Sequence, residues 1–124
     1  MNLCMIGTGY VGLVSGTCFA DLGNRVFCVD KDKIKIRKLN SGISPIYEPG
    51  LNELIKKNYN SGRLIFTNDL NKAISKSELI FICVGTPNRK NSNEVDLSFV
   101  YQAAREIAKS TKNKKIIITK STVP

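Results

Sequence analysis

The sequence predicts a doubly wound α/β domain built on a parallel sheet. Short apolar runs rich in β-branched residues alternate along the chain with stretches of helical periodicity. The run Leu79-Ile-Phe-Ile-Cys-Val84 has no polar alternation, the pattern of a strand covered on both faces. A Gly7-Thr-Gly-Tyr-Val-Gly12 turn also separates the first apolar run from the first helical stretch. At 124 residues, 42% hydrophobic and 23% charged, the chain has the length and composition of one globular domain.

Leu3–Ile6 is the first expected strand, ended by Gly7. Tyr10–Leu22 follows as an amphipathic helix, with Val11, Val14, Cys18, Phe19 and Leu22 expected on the buried side and Gly23 as its C-cap. Val26–Val29 is the second strand and stops at Asp30. Asp32–Leu39 is a helix with Ile36 and Leu39 inward, closed by Asn40, Ser41 and Gly42. Ile43–Gly50 carries Pro45 and Pro49 and must be a loop. Leu51–Asn58 is a short helix burying Leu51, Leu54 and Ile55. Leu64–Phe66 is the third strand, Asp69–Ile74 a short helix and Leu79–Val84 the fourth strand. Gly85–Val95 is a polar loop. Asp96 is the expected N-cap of a helix over Leu97–Lys109 whose inner face is Leu97, Val100, Ala104 and Ile107. Lys115–Thr119 is the fifth strand, and Lys120–Pro124 runs off its end. Right-handed crossovers then give the strand order 3-2-1-4-5.

Several classes of function are set aside by composition. No apolar run reaches the ~18 residues of a membrane-spanning helix. The N-terminal apolar stretch is interrupted by Gly7, Gly9 and Gly12, unlike a secretory signal. The expected setting is the cytoplasm, with no membrane partner. Net charge is +9, but the lysines are scattered over helix faces and loops, and the aromatics do not interleave with them as stacking platforms. A solvated basic surface, not a nucleic-acid site, is the expectation. There is no histidine, and Cys4, Cys18, Cys28 and Cys83 match no metal-ligand spacing, so all four are expected to be reduced, buried core thiols.

The glycine turn carries the chemistry. A G-x-G-x-x-G alone is a weak signal, but this one follows a strand, opens a helix and precedes an acid, Asp30, at the end of the next strand. Those are the contextual marks of a Rossmann-type dinucleotide site. Gly7 permits the tight turn, Gly9 lets the backbone approach a pyrophosphate, and Gly12 allows close helix–strand packing. The helix N-terminus favours the diphosphate through its free N–H groups and dipole. Asp30 can accept from the adenosine ribose hydroxyls and would repel a 2′-phosphate, which favours NAD over NADP; the adjacent Lys31 works against that preference. Lys35, one turn further on, can reach the same ribose, although a lysine on an exposed helix face is more often solvated. Thr86 and the segment Ser121-Thr-Val-Pro124 fall at the carboxyl ends of strands four and five, the ligand edge of such sheets. Their hydroxyls suit a cofactor's ribose or nicotinamide side and equally suit ordinary turns.

Taken together, the opening Met1–Gly23 segment, Pro45-Ile-Tyr-Glu-Pro-Gly-Leu51, Val84-Gly-Thr-Pro87 and Lys120-Ser-Thr-Val-Pro124 resemble the N-terminal part of the UDP-glucose 6-dehydrogenases, in order and at family-like spacing. The resemblance implies oxidation of the C6 alcohol of UDP-glucose to a carboxylate with reduction of two NAD⁺. It implies cofactor contacts at Val11, through its backbone, and at Asp30, Lys35, Thr86 and Thr122; with Gly7, Gly9, Tyr10, Gly12 and Ser121 these make up the expected cofactor-binding set. Thr122 also matches a family position that helps orient a catalytic water. Glu48 is a family hallmark for which a structural role in the loop is expected.

The resemblance further implies a homodimer and a thiohemiacetal and thioester on a nucleophilic cysteine. That cysteine belongs to family segments beyond position 124, and none of the four present matches it. Residues 1–124 therefore read as a single NAD-binding domain, either excised or from a truncated gene product. The central helix and the UDP-sugar domain are missing, and the chain is expected to be inactive in isolation. GDP-mannose 6-dehydrogenase and a non-catalytic nucleotide-binding module are the rival expectations.

Overall fold

The computed structural model describes residues 1–122; Val123 and Pro124 of the last motif lie outside the described residues. The elements run β1 (Asn2–Ile6), α1 (Tyr10–Asp21), β2 (Arg25–Val29), α2 (Lys33–Asn40), α3 (Leu51–Asn60), β3 (Leu64–Thr67), α4 (Leu70–Lys76), β4 (Leu79–Ile82), α5 (Ser98–Ser110) and β5 (Ile116–Thr119). The sheet is parallel throughout, in the expected order β3-β2-β1-β4-β5.

Strand alternation sorts the apolar residues into two layers. Leu3, Met5, Val26, Cys28, Leu64, Phe66, Phe81 and Cys83 face α1, α2 and α3, which contribute Leu13, Ala20, Ile36, Leu39, Leu51 and Ile55. Cys4, Ile6, Phe27, Val29, Ile80 and Ile82 face α4 and α5 through Ala73, Ile74, Ala103 and Ile107. Residues 79–83 thus feed both layers, as their unbroken hydrophobicity required. Asp32 and Asp69 cap α2 and α4, accepting from Ile34, Lys35 and Lys72 amides.

Three expectations are corrected. The buried face of α1 is Gly12, Leu13, Gly16, Thr17 and Ala20; Leu22 is 78% exposed, and Val11 and Cys18 are also exposed. The helix lies so near the sheet that no side chain fits at its closest approach: a Cβ on Gly16 would stand 2.8 Å from Cys28 Sγ and 3.1 Å from Met5 Cγ. Of the expected inner residues, Val14 and Phe19 do pack against the core at its margin, but the centre of the contact is displaced toward Gly12 and Gly16 because close approach selects for size before hydrophobicity. Cys18 is consequently no core thiol.

In α5 the N-cap is Leu97, not Asp96. Asp96 accepts the Ser98 amide from one position earlier, and the buried alanine is Ala103, with Ala104 exposed. In α3 the helix runs past Asn58 to Asn60, and the Asn58 side chain is fully buried and bonded on all sides. Its amide donates to Asp21 Oδ1 and the Leu54 carbonyl, and its oxygen accepts from Arg63.

Candidate functional site

The registers place Ile6 opposite both Val29 and Ile82, and Ile82 opposite Thr119. The segments following β1, β2, β4 and β5 therefore start level, on one edge of the sheet. Gly7 donates its amide to the Val29 carbonyl at 2.7 Å, Cys83 to Ile6 at 2.8 Å, and Lys120 and Ser121 to Ile82 at 2.9 and 3.0 Å. The change of direction in strand order lies between β1 and β4, and the glycine turn stands over it.

Each glycine of the turn meets a different constraint. Gly7 has φ +106°, and a Cβ there would lie 2.7 Å from the Cys83 carbonyl oxygen, so both conformation and space call for glycine. Gly12 packs on Gly7 itself: a Cβ would overlap the Gly7 carbonyl oxygen and lie 2.9 Å from its carbon. Gly9 is different. Its φ of −73° and ψ of −166° suit any residue, and nothing stands within 4 Å of the position its Cβ would take. The space over Gly9 is therefore open.

Below that opening lies the first turn of α1. Leu13 makes the first intrahelical bond, to the Gly9 carbonyl, and the amides of Gly9, Tyr10, Val11 and Gly12 have no acceptor among the described residues. No side chain caps this end and no acid stands in its first turn. Four free donors at the positive end of a helix, three of them on the exposed residues Gly9, Tyr10 and Val11, form an anion cradle.

Asp30 is held against this cradle. Its Oδ2 accepts from the Thr8 amide at 3.0 Å and the Thr8 hydroxyl at 2.7 Å, and its Oδ1 from the Asp32 amide at 3.0 Å. Lys35 Nζ stands 3.6 Å from Oδ2, on the carboxylate itself. Partial burial pushes the Asp30 carboxyl up. The bonds from Asp32 and Thr8, with the Lys35 charge, outweigh that effect and hold it below the ordinary aspartate value. Lys31, adjacent in sequence, pairs with Glu106 of α5 at 3.2 Å and is thereby engaged away from this carboxylate.

The remaining expected residues fall around the same edge. Tyr10 is exposed, and its hydroxyl donates to Glu48 Oε2 at 3.3 Å, joining the start of α1 to the proline loop. Glu48 thereby has a contact, and its carbonyl accepts from Leu51. Thr86 is half-buried after β4, and Thr122 is exposed after β5. Ser121 Oγ donates to the Val84 carbonyl at 2.8 Å, so this hydroxyl ties the two loops together. Thr8 is the residue that reading the sequence missed. It fills the variable slot between two glycines, where no residue type is diagnostic, and only the fold shows it to be fully buried against Asp30.

The cysteines offer no nucleophile at this edge. Burial pushes Cys4 up to about 12, Cys83 up to about 11 and Cys28 higher still, so all three remain thiols at neutral pH. Among the described residues no group of His, Cys, Asp or Glu is arranged to hold a metal ion. A concavity of about 500 Å³ lies between α4 and α5, lined by Lys72, Lys109, Lys112 and Lys115, and shares no residue with the glycine turn.

The UDP-glucose/GDP-mannose dehydrogenase family, NAD binding domain, matches residues 1–124 in full. The chain belongs to this family. Over its whole length it is 56% identical to the UDP-glucose 6-dehydrogenase of Rhizobium meliloti, of which it covers 28%. It is 54% identical, over 99% of its length, to the UDP-glucose 6-dehydrogenase TuaD of Bacillus subtilis, covering 26% of it. Among solved structures, a GDP-mannose dehydrogenase from Pseudomonas aeruginosa superposes with a TM-score of 0.94 at 39% identity, over 99% of this chain and 29% of that one. A UDP-glucose dehydrogenase from Pyrobaculum islandicum gives 0.92 at 37% identity, again over 99% and 29%. The chain thus spans little more than a quarter of these relatives' length. The cofactor of this family domain is NAD, and the open amides, the Cβ-free approach at Gly9 and the oriented Asp30 carboxylate are the groups a dinucleotide requires.

Proposed function

We propose that this protein is the cofactor-binding part of an enzyme that oxidises the C6 alcohol of UDP-glucose to the carboxylate of UDP-glucuronate. The observation that carries the reading is the joining of the two cofactor determinants at one edge. The free amides of α1 and the Asp30 carboxylate are linked through Thr8, with relatives of the same family at 54–56% identity. In this reading the diphosphate takes the amides of Gly9–Gly12, and the ribose diol takes Asp30 and Lys35. Tyr10 and Glu48 fix the proline loop beside the turn. Thr86, Ser121 and Thr122 serve the nicotinamide side, with Thr122 orienting a water. When bound, NAD⁺ would supply the hydride acceptor for both oxidation levels, two cofactors per product, with water the source of the second oxygen. The nucleophile, the sugar-nucleotide site and a homodimer contact belong to segments outside this chain. The buried thiols fit the reducing conditions of the cytoplasm, where we place the protein.

The test is turnover by the intact protein with UDP-glucose or GDP-mannose, following NADH absorbance. Two NADH per UDP-glucose is the expected result. Turnover of GDP-mannose alone would transfer the assignment to the other branch of the family, and turnover of neither would leave a nucleotide-binding module.

A further inference from the structure

The Asp30 carboxylate is asymmetric in its contacts. An ionised carboxylate offers about four acceptor sites, two on each oxygen. On Oδ2 both are taken, by the Thr8 amide at 3.0 Å and the Thr8 hydroxyl at 2.7 Å, with Lys35 Nζ alongside at 3.6 Å. On Oδ1 only one is taken, by the Asp32 amide at 3.0 Å. Thr8 itself is fully buried, so its hydroxyl has no water to turn to, and Asp30 retains 17% side-chain exposure.

From this we infer that Thr8 is a positioning residue for cofactor discrimination: its hydroxyl fixes Oδ2 against the glycine turn and leaves Oδ1 as the oxygen that meets the ribose diol. The inference rests on the dinucleotide reading of the site and deepens it. Without the hydroxyl the carboxylate keeps one amide on each oxygen, Thr8 on Oδ2 and Asp32 on Oδ1, both at 3.0 Å, and turns more freely about its Cβ–Cγ bond. The hydroxyl adds the shortest of the three bonds, at 2.7 Å, and pins Oδ2 from a second direction. A diol accepted by a fixed oxygen loses less ordering entropy on binding than one accepted by a rotating group. A 2′-phosphate, by contrast, is rejected by the charge of the carboxylate whatever its plane. Loss of the hydroxyl should therefore weaken NAD selectively.

The experiment is calorimetric titration with NAD and NADP of wild type, Thr8→Val, Thr8→Ser and Asp30→Ala. Valine keeps the shape and removes the donor. We expect Thr8→Val to raise the NAD Kd about tenfold, the lower end for a hydrogen bond to a charged group, and to leave the NADP Kd within about twofold, the scale of an indirect effect. Thr8→Ser restores NAD binding. Equal weakening of both cofactors, unchanged NAD binding by Thr8→Val, or failure of serine to rescue would each overturn the assignment. If valine prevents folding, as circular dichroism would show, Thr8→Ala carries the same comparison, since a smaller side chain cannot overpack the site. Asp30→Ala separates the two levels. If it leaves NAD binding unchanged, the dinucleotide reading itself fails; if it weakens NAD while Thr8→Val does not, only the role of Thr8 fails.

Discussion

Gly9 and Gly12 are two glycines of one turn whose replacement by alanine should have opposite consequences. At Gly12 the new methyl overlaps the Gly7 carbonyl oxygen, lies 2.9 Å from the Gly7 carbonyl carbon and 3.3 Å from Cys83 Cβ. The first two neighbours are backbone, so relief requires α1 to move off β1. Overpacking of this kind costs about 1–3 kcal/mol and more where the backbone must shift, a large part of the roughly 5–15 kcal/mol that stabilises a domain. At Gly9 nothing lies within 4 Å and φ is −73°, so alanine meets no clash. The effect on stability should stay within about 0.5 kcal/mol, as at ordinary surface positions.

NAD affinity reverses the order of diagnosis. Gly9→Ala should fold normally yet raise the NAD Kd by at least about tenfold, or 1.4 kcal/mol, because its methyl occupies the approach of the diphosphate. The assay is urea denaturation paired with calorimetric titration of both variants. A Gly9→Ala protein with wild-type NAD affinity would refute the placement of the diphosphate. A Gly12→Ala protein of wild-type stability would refute the packing account.

Other consequences follow from the core and the charges. Asn58→Ala should cost about 2–3 kcal/mol in urea denaturation, since it empties a fully buried site and strips a partner from half-buried Arg63 and from Asp21; a loss under about 0.5 kcal/mol, the surface range, would contradict it. An aromatic disulfide reagent should label Cys18 in the native protein and Cys4, Cys28 and Cys83 only on unfolding. Native labelling of the latter three would contradict their burial. Asp30 is depressed in the folded state, so its contribution to stability is complete above the ordinary aspartate value of about 3.9. That contribution is lost as pH falls through the lower folded value. Asp30→Asn should therefore show a shallower decline in melting temperature than wild type below about pH 4, and parallel declines would contradict the hydrogen-bonded carboxylate.

The sheet order and the layers were legible because period-two and period-3.6 hydrophobicity report burial directly, as in residues 79–83 and in Ile36 and Leu39. The exceptions have a common cause. On α1, Gly12 and Gly16 are buried because they are small, and a hydrophobic count passes over them in favour of Val11 and Leu22. On α5, Ala103 and Ala104 both fall between Val100 and Ile107 on the inner side of the helical wheel, and hydrophobicity does not tell two adjacent alanines apart. For the site, the glycines and Asp30 were legible from their spacing. Thr8 and the Tyr10–Glu48 contact were not, because each joins residues more than 20 positions apart through side chains whose types are common in turns.

The central claim is the location of the cofactor, and amide chemical-shift mapping during titration with NAD tests it most directly. The largest changes are expected at Gly9, Tyr10, Val11 and Gly12 and beside Asp30, with smaller ones near Thr86 and Ser121. Changes concentrated instead along residues 71–75 and 109–115, in the lysine-lined concavity between α4 and α5, would place the anion elsewhere and contradict it.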